Sequence, residues 1–412
     1  MRRTIIYLFT LMLCALVNIP IMAQSDYFSI NGTVRDKQSG KKIAYVNVST
    51  DGEHVSTVTN ADGEFTFKTT KFPKRLVLSH LGYKTLYYPV NPQNTENLKL
   101  ELTPSSIVLD EVVVTGGDPL EIIRAAIKKV PQNYSTTPNM YKGFYRETTQ
   151  KRKKYIYVAE AVIDMYKSSY THGVAQDAVS IIKGRRILNS QLTDTIVAKV
   201  QGGPTMPVFV DLVKNRDYIL NEEDLAHYKF ALLPPEQIGD KPQIVISMEP
   251  KTMAPYALYF AKIYVDRESM AFTRMELTLD VSDKDKANET VLVKKPFGLK
   301  FRLRDMKTTV NYKYDEDGTY RLSYIRNEMK FNCDWTRRLF HSAYTVVAEM
   351  VVTDYNKDEA KPIKSRDSFR VKDSFYDKVD SFNEPNFWGS YNIIEPTESL
   401  EHAINKLKKI MK

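Results

Sequence analysis

Val58-Thr59-Asn60-Ala61-Asp62-Gly63-Glu64-Phe65-Thr66-Phe67 decides how the N-terminal part of this chain folds. Phe65 and Phe67 share one face of an alternating run, and Val58 lies on the far side of the turn Asn60-Ala61-Asp62-Gly63. Asp-Gly between two alternating runs predicts a hairpin, because glycine accepts the positive φ that such turns require. Outward from this turn the pattern repeats in both directions. Ile30, Gly32 and Val34 alternate up to a stop at 36–40, and Ala44, Val46 and Val48 alternate up to Asp51-Gly52. Leu76-Val77-Leu78, then Tyr87 to Val90, then Leu98, Leu100 and Leu102 complete the set. Short strands at this spacing predict a small antiparallel β-sandwich over residues 24–103.

Four pieces carry a more specific likeness. Ile30-Asn31-Gly32-Thr33-Val34-Arg35-Asp36, Val46-Asn47-Val48, Thr57 to Phe65, and Ser79-His80-Leu81-Gly82-Tyr83-Lys84-Thr85 follow one another in order. In that order they resemble the carboxypeptidase regulatory-like domain, which implies a transthyretin-like β-sandwich. Tyr45 departs from the pattern, since relatives tend to carry Gly or Pro there. The resemblance brings no peptidase chemistry with it. A zinc carboxypeptidase needs a His and Glu pair and a distant His, and His54, His80, His172, His227, His341 and His402 show no such spacing. Asn60, Asp62 and Glu64 suggest a calcium loop only without the distal Glu that completes one, so a hairpin turn is the expectation. No catalytic, cofactor-binding or metal-binding residue is expected, and the chain reads as a non-enzyme.

Residues 104–118 read as a linker. Within it Leu109-Asp110-Glu111-Val112-Val113-Val114-Thr115 is similar to the segment that TonB-dependent outer-membrane transporters place between this sandwich and their plug. The resemblance implies that Asp110 to Thr115 is a docking segment; read from the residues alone it is a last strand or linker. A nutrient-transporter barrel needs roughly 22 strands of about ten residues, and too few residues follow Gly117 to build one.

Residues 119–394 read as α+β. Asp118 caps a helix with Pro119 at its first position, and Leu120, Ile123, Ile127 and Val130 recur at helical spacing until Pro131. Strands are expected at Tyr141 to Glu147, Tyr155 to Ala159, Gln243 to Met248, Tyr259 to Val265, Met275 to Leu279, Phe301 to Tyr314, Tyr320 to Phe331 and Leu339 to Val352. Pro207 to Val213 reads as a short helix. A helix followed by long consecutive antiparallel strands resembles lipoprotein carriers of the LolA type, which implies a half-barrel sheltering acyl chains; an ordinary sheet packed on a helix reads alike. In the C-terminal helix, residues 395–412, Leu400, Ala403, Ile404, Leu407 and Ile410 form one stripe, suited to core docking or to an anionic membrane surface.

Arg2 and Arg3 precede an apolar run from Ile5 to Val17, and Ala23 precedes a polar stretch. These are the parts of a secretion signal over residues 1–23, and the run is short of the ~20 residues a membrane span needs. Losing Arg2 and Arg3 leaves 57 Lys and Arg, from 59, against 50 Asp and Glu, so the net charge falls from +9 to +7. Outside the cytoplasm such a balance does not imply nucleic acid. Cys333 alone remains after the leader, so no internal disulfide forms. The chain is therefore expected to be an exported envelope protein, periplasmic or outer-membrane associated. Its sandwich is expected to bind an envelope protein or outer-membrane component. A lipid or acyl-chain carrier is the alternative, and an unrecognised hydrolase stands behind both.

Overall fold

The computed structural model describes residues 27–105, 117–188, 202–294, 297–335, 342–358, 360–379 and 387–411. The leader, the Asp110 to Thr115 segment and His341 lie outside these residues.

The N-terminal part holds β1 (Phe28–Asp36), β2 (Asn47–Thr50), β3 (Ser56–Val58), β4 (Glu64–Thr69), β5 (Arg75–Ser79), β6 (Leu86–Pro89) and β7 (Leu98–Leu102). They form a three-stranded sheet in the order β4-β1-β7 and a four-stranded sheet in the order β3-β2-β5-β6. Every pair is antiparallel except β1 with β7, which is parallel. The alternating residues Ile30, Val34, Val46, Val48, Phe65, Phe67, Leu76, Leu78 and Leu100 meet in one core. Gly32 lets β7 approach, since a Cβ there would lie 2.5 Å from the Leu98 carbonyl oxygen. Gly63 closes the hairpin at φ +70°, as the Asp-Gly pair requires.

The remainder opens with α1 (Pro119–Lys128), where the Asp118 side chain accepts from the Leu120 amide. Pro131 ends that helix and starts the single turn Val130–Asn133. Ten strands follow: β8 (Asn139–Lys151), β9 (Lys154–Lys167), β10 (Ala178–Leu188), β11 (Tyr228–Ile238), β12 (Lys241–Pro250), β13 (Tyr259–Asp266), β14 (Phe272–Leu279), β15 (Leu299–Tyr314), β16 (Tyr320–Trp335) and β17 (Ser342–Asn356). Helix α2 (Lys284–Val291) lies between β14 and β15, and α3 (Glu398–Met411) ends the chain. Their order in one sheet is β10-β9-β8-β17-β16-β15-β14-β13-β12-β11, antiparallel throughout and open at β10 and β11. The chain is mainly β, with an α+β C-terminal part and no closed barrel.

Two strands escape a reading by alternation. β10 is bulged between Ile181 and Lys183, and β11 carries Pro234-Pro235 at a break in its register. Both are edge strands, where a bulge or a missing N–H costs little. Helix α2 also goes unread, because only Ala287 of it is buried.

The sheet bends toward one face. Tyr170, just after β9, and Tyr312, on β15, both donate to the Asp211 carboxylate, at 2.8 and 2.7 Å. A flat sheet would hold β9 and β15 roughly 19 Å apart, so only a curved one brings them to the same acceptor.

Candidate functional site

The concave face of the ten-stranded sheet encloses a cavity of about 950 Å³. Period-two alternation builds its floor. Ile325, Met329, Phe331 and Cys333 of β16, Val346, Ala348 and Met350 of β17, and Leu299, Phe301 and Met306 of β15 all face it. Tyr145 of β8 closes one side, and Met206, Pro207 and Val210 form part of the roof. Val293, Lys294, Val371 and Lys372 line the cavity and are all exposed, so they form its rim. The Tyr218 and Tyr259 hydroxyls meet at 2.9 Å in the same wall.

A buried ionic knot holds the roof. Lys167 lies 2.7 Å from Asp211, and Lys214 lies 2.5 Å from Asp177, all of them sealed from water. Burial and the neighbouring Lys167 charge push the Lys214 ammonium down to about 8, with Asp177 opposing. Tyr312 also accepts the Val213 amide at 3.1 Å, so the 206–214 segment is tied both to the end of β9 and to β15. The segment expected as a helix from Pro207 to Val213 is a single turn, Met206–Phe209, followed by chain that the knot anchors.

Beside the cavity, the Glu147 carboxylate accepts the hydroxyls of Tyr145 and Tyr157 at 3.0 and 2.7 Å. Burial pushes this carboxyl up to about 7, against the lowering effect of the two hydroxyls. Burial likewise holds the Cys333 thiol up at about 11, so it stays protonated and unreactive.

The convex face carries a ladder of charges. Arg326 on β16, Glu349 on β17, Arg146 on β8, Glu160 on β9 and Arg185 on β10 stand opposite one another on five successive strands. Arg326 meets Glu349 at 3.2 Å, Arg146 meets Glu160 at 2.7 Å and Glu349 at 3.5 Å, and Arg185 meets Glu160 at 2.6 Å. Burial alone would raise the Glu160 carboxyl, but Arg146 and Arg185 hold it below its usual value. A one-residue slip of any strand would turn its charge toward the cavity, so the ladder fixes register.

The sandwich and the C-terminal segment cover this face. The Tyr45 ring stacks on Tyr324 of β16 at 5.4 Å, and Tyr45 takes φ +61° to reach it. Its departure from the Gly or Pro of relatives is thus a packing feature. The Ser56 hydroxyl donates to the Val352 carbonyl, and the Thr57 hydroxyl to the Ile393 carbonyl, each at 2.9 Å. In the Asn60-to-Glu64 turn the side-chain oxygens of Asn60 and Asp62 accept backbone amides. Asn60 Oδ1 accepts the amides of Asp62 and Glu64, and its Nδ2 donates to Pro396 O at 3.0 Å. Asp62 Oδ2 accepts the Glu398 amide at 3.0 Å, capping α3 from another part of the chain. In that helix Leu400 and Ile404 are buried against Val158 and Ile187, so its first half docks on the core.

The histidines are dispersed. Burial lowers the His80 imidazole to about 4, and its Nδ1 donates to Leu81 O at 2.8 Å. His54 packs on Tyr355 at 4.0 Å, His227 Nδ1 lies 2.8 Å from the Thr252 hydroxyl, His172 lies beside Thr171, and His402 is exposed on α3. Among the described residues no three His, Cys, Asp or Glu side chains converge as a metal set. Among them, too, no helix is long and apolar enough to cross a membrane.

The two sheets of the sandwich, with Gly32 against Leu98 and the Asp-Gly hairpin, bear out the likeness drawn from the four sequence pieces. Residues 30–114 match the CarboxypepD_reg-like domain. No curated protein matches the chain. Three solved structures share distant likeness. A DUF1329 family protein from Desulfovibrio piger is 12% identical with a TM-score of 0.25, over 60% of this chain and 95% of that one. MucB in complex with MucA is 11% identical with a TM-score of 0.17, over 58% and 99%. Lipovitellin, in a structure concerned with lipid–protein interactions, is 8% identical with a TM-score of 0.26, over 61% and 28%. Likenesses this distant say nothing of what the chain binds. In this chain the CarboxypepD_reg-like domain turns β3 and its hairpin inward, against the large sheet and the C-terminal segment.

Proposed function

We propose that the chain is a non-catalytic, exported envelope protein that carries the acyl chains of a lipid or lipoprotein in its concave cavity. One observation carries this reading: a cavity of about 950 Å³ whose floor is almost entirely aliphatic, aromatic or thioether. That volume is at the upper end for ligand sites. Transfer of a fourteen-carbon chain from water would gain roughly 11 kcal/mol gross at ~0.8 kcal/mol per methylene. Association costs at least about 4 kcal/mol, so burial alone supports binding with no polar anchor. The polar groups, Asn327, Thr290, Glu349, Ser374 and Asp377 in the lining and Lys294 and Lys372 at the rim, are few beside the apolar ones and suit a ligand whose head stays near solvent.

This reading favours the carrier over a role in which the sandwich binds the partner. The sandwich face formed by Ser56, Thr57 and Val58 is buried against the rest of the chain, which suits a scaffold better than a free docking module. The non-catalytic reading is supported by Cys333, held as a neutral thiol, and by Glu147, which is committed to two tyrosines.

The test is titration of the purified protein with a fluorescent long-chain fatty acid, beside Ala348→Trp, which fills the cavity from its floor. Saturable binding of one to two chains per protein is expected, weakened at least tenfold in the variant with an unchanged far-UV spectrum. No saturable binding, or equal binding by both proteins, would overturn the proposal.

A further inference from the structure

The hairpin between β8 and β9 turns through Arg152 and Lys153, at φ 49° and 68°, with Lys151 opposite Lys154. Two successive positive φ values are the geometry that Asn-Gly provides with least strain, and larger side chains are strained there. The chain nevertheless places four consecutive cations on this tip, three of them exposed. Backbone strain at an exposed site points to a use for the residues that cause it.

The same end of the sheet presents apolar side chains to water. Strand direction puts the connections after β8, β12 and β14 together at one end. Met253, between β12 and β13, is 94% exposed; Val293, between α2 and β15, is 76% exposed, and Phe297 is fully so. Lys294 and Lys300 flank the last two and are exposed. Asp283 at the cap of α2, and Asp285 and Glu289 on it, are the acidic counterweight, with Lys284 and Lys286 among them. The cavity opens at this end, since Val293 and Lys294 form part of its rim. The sandwich grips the opposite end, where the Gly82 amide donates to Gln237 O at 2.7 Å and the Gly52 amide to Glu316 at 2.9 Å.

We infer that this end seats on an anionic phospholipid bilayer. Phe297, Val293 and Met253 enter the boundary between headgroups and acyl chains, and the cations of the β8–β9 tip and of the rim lie at the phosphates. Charge selects this occupant over a protein groove: an apolar tip ringed by lysines matches a surface that is apolar inside and anionic outside. The cavity mouth then faces the lipid it takes up or delivers, and in this the inference rests on the carrier reading.

The test is flotation of the full-length mature protein with vesicles of phosphatidylglycerol and phosphatidylethanolamine, or of phosphatidylcholine alone. Binding to the anionic vesicles is expected, with loss on the neutral ones and in high salt. Each cation at the surface contributes about a fivefold factor, so Arg152→Asn with Lys153→Gly is expected to weaken binding about 30-fold. Because that pair relieves the turn, the same protein is expected to unfold at a higher temperature, which a merely structural role for the cations would not pair with lost binding. Phe297→Asp with Met253→Asp, two exposed residues outside the cavity lining, is expected to abolish flotation and leave fatty-acid binding intact. Ala348→Trp, which blocks the cavity, is expected to float as the parent does, so failure of the carrier reading and failure of membrane docking are read separately. Equal binding to neutral and anionic vesicles, or undiminished binding by both surface variants, would overturn the inference.

Discussion

The Arg146 guanidinium lies 2.7 Å from the Glu160 carboxylate, with the two side chains 3% and 1% exposed. The same guanidinium donates to the Ile394 carbonyl at 2.6 Å, so one buried cation ties the β8–β9 hairpin to the C-terminal segment. Removing one partner of a buried pair leaves an uncompensated charge and costs about 3–5 kcal/mol. Arg146→Ala is expected to lose about that much in urea denaturation, and to make the segment after Phe387, with Trp388 and Tyr391, sensitive to chymotrypsin. A loss under about 1 kcal/mol would mean that Arg185 and Arg326 carry the ladder without it.

Glu147 makes stability depend on pH. Its carboxyl rises from an ordinary 4.5 to about 7 on folding. A raised carboxyl stabilises the fold fully below the unfolded value, and the contribution is lost as pH rises through the folded one. Stability is therefore expected to fall by about 3 kcal/mol between roughly pH 4.5 and pH 7 and then level off. Glu147→Gln is expected to flatten that slope when denaturation curves are taken from pH 5 to pH 8.5.

Tyr45 sets two effects against each other. Its left-handed backbone costs about 1–2 kcal/mol, while its stacking and burial on Tyr324 contribute roughly 2–4 kcal/mol. Tyr45→Gly relieves the first and loses the second, so a net loss of about 1–2 kcal/mol is expected by calorimetry. A stabilised variant would show that the sandwich gains nothing from this contact.

Asp62 caps a helix that lies far from it in the chain. Asp62→Ala is expected to cost about 1 kcal/mol, seen as faster hydrogen exchange in the first turn of α3 with little change in the large sheet.

Local signals in the sequence carried the sandwich. The Asp62-Gly63 turn and the alternation of Ile30, Val34, Phe65 and Phe67 require no knowledge of distant partners. The floor of the cavity was half legible: Ile325, Met329, Phe331 and Cys333 alternate plainly, but only the bend of the sheet turns a buried face into a cavity. That bend depends on Tyr170, Tyr312 and Asp211 meeting across four strands, which no local pattern encodes. The charge ladder was hidden for a related reason. Arg146 and Glu160 face each other across a hairpin whose turn, Arg152-Lys153, lacks the Asn-Gly signal and reads as a basic surface cluster. The cover on the convex face, where Asn60 and Asp62 grip the C-terminal segment, joins residues more than three hundred positions apart.

The central claim is that the cavity holds acyl chains, and native mass spectrometry of the protein purified from the cells that make it tests it most directly. The protein is expected to carry one bound species per chain, released by organic solvent and bearing long acyl chains, and Ala348→Trp is expected to carry none. Wild-type protein that emerges empty from those cells, or a bound species that Ala348→Trp retains, would contradict it.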